Sequence, residues 1–259
     1  MSTKKTYEQA IEELSLMLLY LTRQQDRNEF CRYRELSWKG YNFDILDKME
    51  KEELLWQPKS RRGYDKYLYL SEAGRKKAQK LLAEYGLPDQ EMQEHFEFRY
   101  IRPEEAEQAA EIEQICFPPN EACTGKMMKD RVAAAPELFL VAVDRGNGKL
   151  AGFLCGLATD EYTFRDDFFS DTSLYQPEGK NVMLLGLDVL PEYRRQGLAR
   201  ELMYQYLRKE QERGRKMVIL TCLKDKVKMY EKMGFTNRGL SDSTWGNVSW
   251  YEMTCVLNI

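Results

Sequence analysis

The segment from Val182 to Ala199, VMLLGLDVLPEYRRQGLA, constrains the fold of this 259-residue chain more than any other. From Val182 to Leu190 apolar residues dominate, as expected of a strand covered on both faces, and Pro191 ends the run because proline has no amide hydrogen to give a ladder. Beyond the turn, Leu198, Ala199, Leu202, Met203, Tyr206 and Leu207 recur at helical spacing, which predicts a helix starting near Gly197. The first amides of a helix lack intrahelical partners and sit at the positive end of the peptide dipoles. A buried strand that turns over Arg194, Arg195 and Gly197 into a helix therefore presents donors to a phosphate.

A second segment lies about thirty residues on. Met217 to Cys222 reads as a strand and Asp225 to Met233 as a short helix, closing in Tyr230-Glu231-Lys232-Met233-Gly234-Phe235. Strand, Arg-Arg-Gln-Gly-Leu-Ala helix, strand, then a helix ending in Tyr-Glu-Lys-Met-Gly-Phe resembles the GNAT acetyltransferase superfamily. The resemblance runs from about Phe98 to Val256. It includes a strand at Phe98 to Ile101, helices at Glu104 to Cys116 and Gly125 to Ala135, and strands at Leu138 to Asp144 and Lys149 to Ala158. The last two strands are joined by Asp144-Arg145-Gly146-Asn147-Gly148, a hairpin sequence because Asn and Gly tolerate positive φ. Cys116-Phe117-Pro118-Pro119, the long loop after Ala158 and a closing strand at Trp250 to Val256 are most similar to the arylalkylamine N-acetyltransferase branch. The fold class expected is α+β, with a mixed, mostly antiparallel sheet flanked by helices over residues 93–259.

The resemblance implies an acetyl-coenzyme A-dependent N-acetyltransferase acting on a small hydrophobic or aromatic amine, without a metal. Arg194, Gly197 and Ala199 occupy the defining positions of the family's pyrophosphate turn, and Arg195, Gln196, Leu198 and Arg200 fill out the expected cofactor-binding segment. Leu187, Asp188 and Val189 lie where the family's strand splays from its neighbour and offers backbone groups to the acetyl carbonyl and pantetheine arm. Tyr230 stands at the position of the family's general acid. Phe117, Pro118, Met183 and Leu185, with Tyr162 and Phe164, are the expected wall of an amine pocket.

The chain departs from the branch at the proton acceptor. Aligned backwards from Arg194, Met183 and Leu185 stand where vertebrate arylalkylamine acetyltransferases carry histidines. The chain's one histidine, His95, falls in the bridge between domains. An amine of pKa about 10.4 is neutral in only on the order of one molecule in a thousand at pH 7, a shortfall of about 4 to 5 kcal/mol. Asp160, Glu161, Glu178 and Asp188 are the candidate acceptors, with Asp188 also able to serve structure alone. Two other readings stay open: an acyl-coenzyme A- or metabolite-sensing transcriptional regulator, and a protein or peptide N-acetyltransferase.

Residues 1–92 form a different object. Ala10, Ile11, Leu14, Met17, Leu18 and Leu21 recur at helical spacing between Tyr7 and Arg23, and so wide an apolar face suits burial or a homodimer contact. A helical stretch near Tyr33 to Ser37, a turn at Trp38 to Tyr41, a helix at Asn42 to Glu52, apolar runs flanking Lys59-Ser60-Arg61-Arg62-Gly63, and a helix capped by Ser71 and ending near Tyr85 together resemble a winged helix. Asp44, Asp47, Glu50, Glu52 and Glu53 oppose Lys48 and Lys51 on its would-be recognition helix, which disfavours DNA. Gly86-Leu87-Pro88-Asp89 then breaks the chain, and residues 90–94 read as a polar bridge.

A net charge of −3 argues against a generally adhesive nucleic-acid binder. The six cysteines show no C-x-x-C pair, which favours reduced core thiols and a cytoplasmic setting. The longest apolar stretch, Leu14 to Leu21, falls far short of a membrane span.

Overall fold

A computed structural model describes residues 7–25, 35–38, 41–60, 63–64, 67–85 and 90–257. The chain divides into two compact units, Met1–Gln90 and Glu91–Ile259.

In the first unit, α1 (Tyr7–Leu21) is followed by β1 (Gln24–Gln25), β2 (Glu35–Trp38), α2 (Phe43–Lys51), β3 (Leu55–Trp56), the short ribbon β4 (Lys59–Ser60) and β5 (Gly63–Tyr64), β6 (Tyr67–Leu70) and α3 (Glu72–Glu84). Asn42 starts α2 by accepting from Asp44 N at 2.9 Å, and Ser71 starts α3 by accepting from Gly74 N at 2.9 Å. Leu19, Tyr20, Leu46, Met49, Leu68 and Leu82 fill the core. The helix expected near Tyr33 to Ser37 is a strand over its described part: β2 pairs with β6, Leu36 opposite Tyr69, in a sheet ordered β1-β2-β6-β3. Long-range pairing there overrides local pattern, as strand propensity is set by cross-strand neighbours. Tyr33, Arg61, Arg62, Cys31 and the break at residues 86–89 lie outside the described residues. On α1, Leu16, Met17, Leu19 and Tyr20 turn inward while Ile11, Leu14 and Leu18 stay exposed.

The polar bridge expected at residues 90–94 is instead helical, α4 (Gln90–His95), leaving His95 exposed at its end. The elements that follow are β7 (Phe96–Tyr100), α5 (Ala106–Cys116), α6 (Gly125–Ala134), β8 (Phe139–Asp144), β9 (Leu150–Thr159), α7 (Asp167–Ser170), β10 (Asn181–Val189), α8 (Leu198–Glu212), β11 (Met217–Cys222), α9 (Val227–Glu231), β12 (Thr236–Leu240) and β13 (Tyr251–Val256). They build a seven-stranded sheet ordered β12-β13-β11-β10-β9-β8-β7, in which β10 and β11 run parallel and every other neighbour is antiparallel. The strands β8, β9 and β10 are buried almost throughout, as their continuous apolar runs require. The mixed sheet flanked by helices is the α+β architecture expected of the sequence.

Two irregularities in β10 shape the centre of the sheet. A bulge at Leu185 leaves Leu184 opposite Gly156 and Gly186 opposite Cys155, so the faces presented by the strand exchange there. The parallel pairing to β11 also stops after three residue pairs, the last being Met183 with Ile219, although both strands continue. From that point β10 and β11 diverge.

Candidate active site

The divergence opens a cavity of about 710 Å³. One wall is β10 from Leu184 to Leu187 and Val189, the opposite wall is Thr221 and Cys222 of β11 with Met229 and Tyr230 of α9, and the turn from Tyr193 into α8 closes one end. Leu190 N donates to Ala151 O at 3.0 Å toward β9. Alternation along the strand therefore sends the backbone polar groups of Leu187 and Val189 to the other edge, facing the gap.

The end turn is an anion cradle. Pro191 stops the strand, Tyr193 pins the turn to the β8–β9 hairpin by donating to Asp144 at 2.6 Å, and both Arg195 (φ 62°) and Gly197 (φ 94°) take left-handed backbone. Positive φ is strained for an arginine and ordinary for glycine, and such strain persists where the surroundings impose it. The first bond of α8 runs from Glu201 N to Gly197 O, so the amides of Leu198, Ala199 and Arg200 precede it at the positive end of a fifteen-residue helix. Arg194, Arg195 and Arg200 add charge on the cavity lining. These features fit a diphosphate.

Tyr230 faces this space from α9. Burial raises its pKa, with Cys222 and Asp188 adding to the effect, so the phenol keeps its proton at neutral pH. The Phe235 ring packs edge-on at 5.7 Å and fixes its plane.

Not every residue expected at the site lies on it. Phe117, Pro118, Leu185, Leu187, Val189, Arg194, Arg195, Gly197, Leu198, Ala199, Arg200 and Tyr230 line the cavity. Met183 does not: it is fully buried in the core, on the stretch of β10 that β11 still covers. Gln196 points outward and donates to Glu192 O at 2.9 Å. Tyr162 is exposed, and Phe164 stands behind the lining, packed on the lining residue Phe169 at 4.9 Å.

The Asp188 carboxyl is wholly buried on the α5–α6 side, a consequence of the face exchange at Leu185. Neither of its oxygens has a hydrogen-bond partner among the described residues. Burial, followed by the neighbouring Glu113 charge, pushes its pKa well up. Asp160 caps Lys180 N at 2.9 Å, Glu161 pairs with Arg165 at 2.8 Å, and Glu178 is exposed; none of the four carboxylates expected as proton acceptors is on the cavity wall.

Two other carboxylates are. Glu113 of α5 is buried, accepting from Cys123 N at 2.8 Å and from Arg131 at 3.4 Å, and is thus committed to structure. Glu121 is different: its carboxylate has no ion pair or hydrogen bond among the described residues, and burial raises its pKa above the usual 4.5. It stands beside Phe169 and Trp245, whose rings lie 4.9 Å apart, and Trp245 Nε1 donates to the Glu121 carbonyl at 2.7 Å. Asn120 binds Gly246 O at 2.6 Å, locking the two loops together. The cavity thus has an arginine-lined end and an aromatic, acidic end. Sequence reading missed Glu121, Phe169, Trp245 and Trp250, and the one available signal was that Glu121 lies two residues beyond the Cys116-to-Pro119 segment already singled out.

Comparison with known proteins agrees with this geometry. The model of the family described as "Acetyltransferase (GNAT) family" matches residues 95–235, and that of a domain of unknown function, DUF6429, matches residues 7–87. Serotonin N-acetyltransferase of Mesocricetus auratus is 28% identical over 166 residues, covering 62% of this chain and 77% of that protein. Among solved structures, the GNAT-like decarboxylase GphF in complex with isobutyryl-CoA superposes with a TM-score of 0.53 at 17% identity, over 62% of this chain and 100% of that one. The loading GNATL domain of CurA from Lyngbya majuscula does so with 0.53 at 15% identity, over 63% and 98%.

Proposed function

Since this chain belongs to the acetyltransferase (GNAT) family, we propose that its cavity transfers the acetyl group of acetyl-coenzyme A directly to a small amine with an aromatic or otherwise apolar body. The observation that carries this reading is the two-ended cavity, with a helix N-terminus and arginines at one end and an unpaired carboxylate among aromatic rings at the other. The α8 amides with Arg195 and Arg200 hold the diphosphate, and the pantetheine arm follows the exposed edge of β10 toward Leu187. The reacting carbonyl then lies in the gap between β10 and β11, within reach of the Tyr230 side.

Each proton has an assigned destination. Glu121 draws the ammonium into the acidic end and takes its proton, a role suited to a carboxylate whose pKa burial has raised toward the working range. The neutral amine attacks the thioester carbonyl, the tetrahedral adduct expels the thiolate, which takes the Tyr230 proton, and the second proton of the amine nitrogen returns to the Tyr230 phenolate as the amide forms. Phe169, Trp245 and Phe117 pack on the amine's apolar body and exclude water.

Amine-dependent release of coenzyme A thiol across a panel of arylalkyl amines, anilines, polyamines and lysine peptides tests this. Turnover of arylalkyl amines at neutral pH is the expected result. Turnover confined to peptides overturns the small-amine assignment, and no turnover with coenzyme still bound favours a sensing role.

The N-terminal unit is read as a self-association module, because Ile11, Leu14 and Leu18 form an exposed stripe along α1 and the acidic α2 suits DNA poorly. Sedimentation should find a dimer that Leu14→Glu converts to monomer. A wild-type monomer at all concentrations rejects this role.

A further inference from the structure

The carbonyl of Val189 is already engaged. Arg194 Nε donates to it at 2.8 Å and Cys116 Sγ at 3.4 Å, from the turn and from α5 respectively. A carbonyl oxygen has two lone pairs, so both are taken. This oxygen faces the gap between β10 and β11, on the edge along which an amide-bearing arm has to pass to reach Tyr230. Arg194 is also a lining residue of the diphosphate turn, so the same guanidinium stands between two claims.

We infer that Arg194 is a specificity residue for the acyl donor: it keeps the Val189 carbonyl occupied until a diphosphate draws the guanidinium away, so thioesters carrying the nucleotide diphosphate are accepted over thioesters of bare pantetheine. The inference rests on the reading of the α8 N-terminus as the diphosphate site. A donor with the diphosphate offers Arg194 a doubly charged partner in exchange for a neutral carbonyl, and an ion pair with paired hydrogen bonds to phosphate outweighs the single bond that the guanidinium makes to Val189. Bare pantetheine offers no such exchange. It must displace the Arg194 hydrogen bond at its own cost or leave its amide N–H unpaired in the gap, and either outcome lowers its affinity. Cys116, a weak donor, is the lesser of the two partners.

Binding measurements separate this from a merely structural role. Coenzyme A is titrated by calorimetry and pantetheine by ligand-observed NMR against wild type, Arg194→Met and Arg194→Lys. The Met variant keeps the stem and loses every donor; the Lys variant keeps a cation for the diphosphate and lacks the Nε hydrogen. Expected is a gain in pantetheine affinity of roughly fivefold in both variants, the worth of one net hydrogen bond. Coenzyme A affinity should fall about tenfold in the Met variant and stay near wild type in the Lys variant. Pantetheine affinity that is unchanged or lower in both variants overturns the inference, because an arginine that only braces the strand would weaken both ligands when removed. Wild type that binds pantetheine as tightly as coenzyme A also overturns it. Wild type that binds neither ligand removes the diphosphate reading and the inference with it.

Discussion

The two ends of the cavity are built by different means. At the arginine-lined end the groups that point inward are largely backbone: amides at the start of α8, two residues with positive φ, and a strand edge. At the acidic end they are side chains, Glu121, Phe117, Phe169, Trp245 and Trp250, carried by segments far apart in the chain. Backbone geometry at a turn is dictated by a few adjacent residues, so that end is fixed locally. The acidic end exists only when the loop after α5, α7 and the Trp245 loop have met, as in the Asn120–Gly246 and Glu121–Trp245 hydrogen bonds. The contrast predicts that the donor end tolerates little change in any relative of this chain, while the acceptor end can be altered side chain by side chain.

Tyr230 belongs to neither end, and its loss should have the largest effect. Tyr230→Phe removes only the hydroxyl, which makes no hydrogen bond with another described residue. It is expected to lower kcat by about 10³ while coenzyme A affinity stays within about twofold of wild type. Single-turnover kinetics beside calorimetry check both, and equal turnover of mutant and wild type removes the acid role.

Glu121→Gln sharpens the comparison from the acidic end. It should lower kcat/KM by about 10² for a strongly basic amine and much less for an aniline, which needs no proton removed before attack. The sign of the pH effect follows from the carboxyl: it accepts a proton only when ionised, and burial raises its pKa above 4.5. Wild-type kcat/KM for a strongly basic amine, which stays protonated across this range, should thus rise with pH through that raised pKa and level off above it. The variant should show no such limb, and a limb retained in Glu121→Gln places the acceptor elsewhere.

The same contrast explains what could be read in the sequence. The strand, turn and helix from Val182 to Ala199 were legible because Pro191, Gly197 and the helical spacing of Leu198, Leu202 and Tyr206 each act locally. So was the order of the main elements over residues 98–256, whereas the stripe at Ile11, Leu14 and Leu18 of α1 is exposed and the inward face runs through Leu16, Leu19 and Tyr20 with Met17. The bulge at Leu185 was not, since nothing in an apolar run marks which residue will go unpaired. It reverses the phase of β10, and with it Asp188 is turned into the α5–α6 packing, while Met183 remains in the core. The carboxylate proposed as proton acceptor escapes for the opposite reason. Glu121 resembles any loop glutamate until Trp245, more than a hundred residues later, comes to rest against its carbonyl. Strand β2 is hidden from local pattern because its partner β6 lies about thirty residues downstream.

Gly197→Val probes the backbone-built end without removing a charge. A valine there must hold φ near 94°, which β-branched residues strongly resist, and its Cβ would meet Met92 Cε at 3.4 Å and Arg200 Nη2 at 3.5 Å. Coenzyme A affinity should fall about thirtyfold as the turn relaxes and the α8 amides rotate away. Calorimetry reads this directly, and unchanged affinity would mean that the cradle is not the diphosphate site.

Trp245→Ala should have the smallest effect and the most selective one. The ring stacks on Phe169 at 4.9 Å, and its Nε1 hydrogen bond holds the Glu121 segment. Its removal has two separable consequences. The lost ring contact should raise KM for an arylalkyl amine by about tenfold, in line with the worth of one aromatic pair, and leave KM for a short aliphatic amine nearly unchanged. The lost tether to Glu121 would instead lower kcat for both amines alike. Trp245→Phe keeps the ring and discards the indole N–H, so it should restore KM for the aryl substrate while retaining any shared loss in kcat. If Trp245→Ala weakens aliphatic and aryl amines equally in KM, the aromatic end does not recognise the substrate's ring, and the acceptor class rests on Glu121 alone.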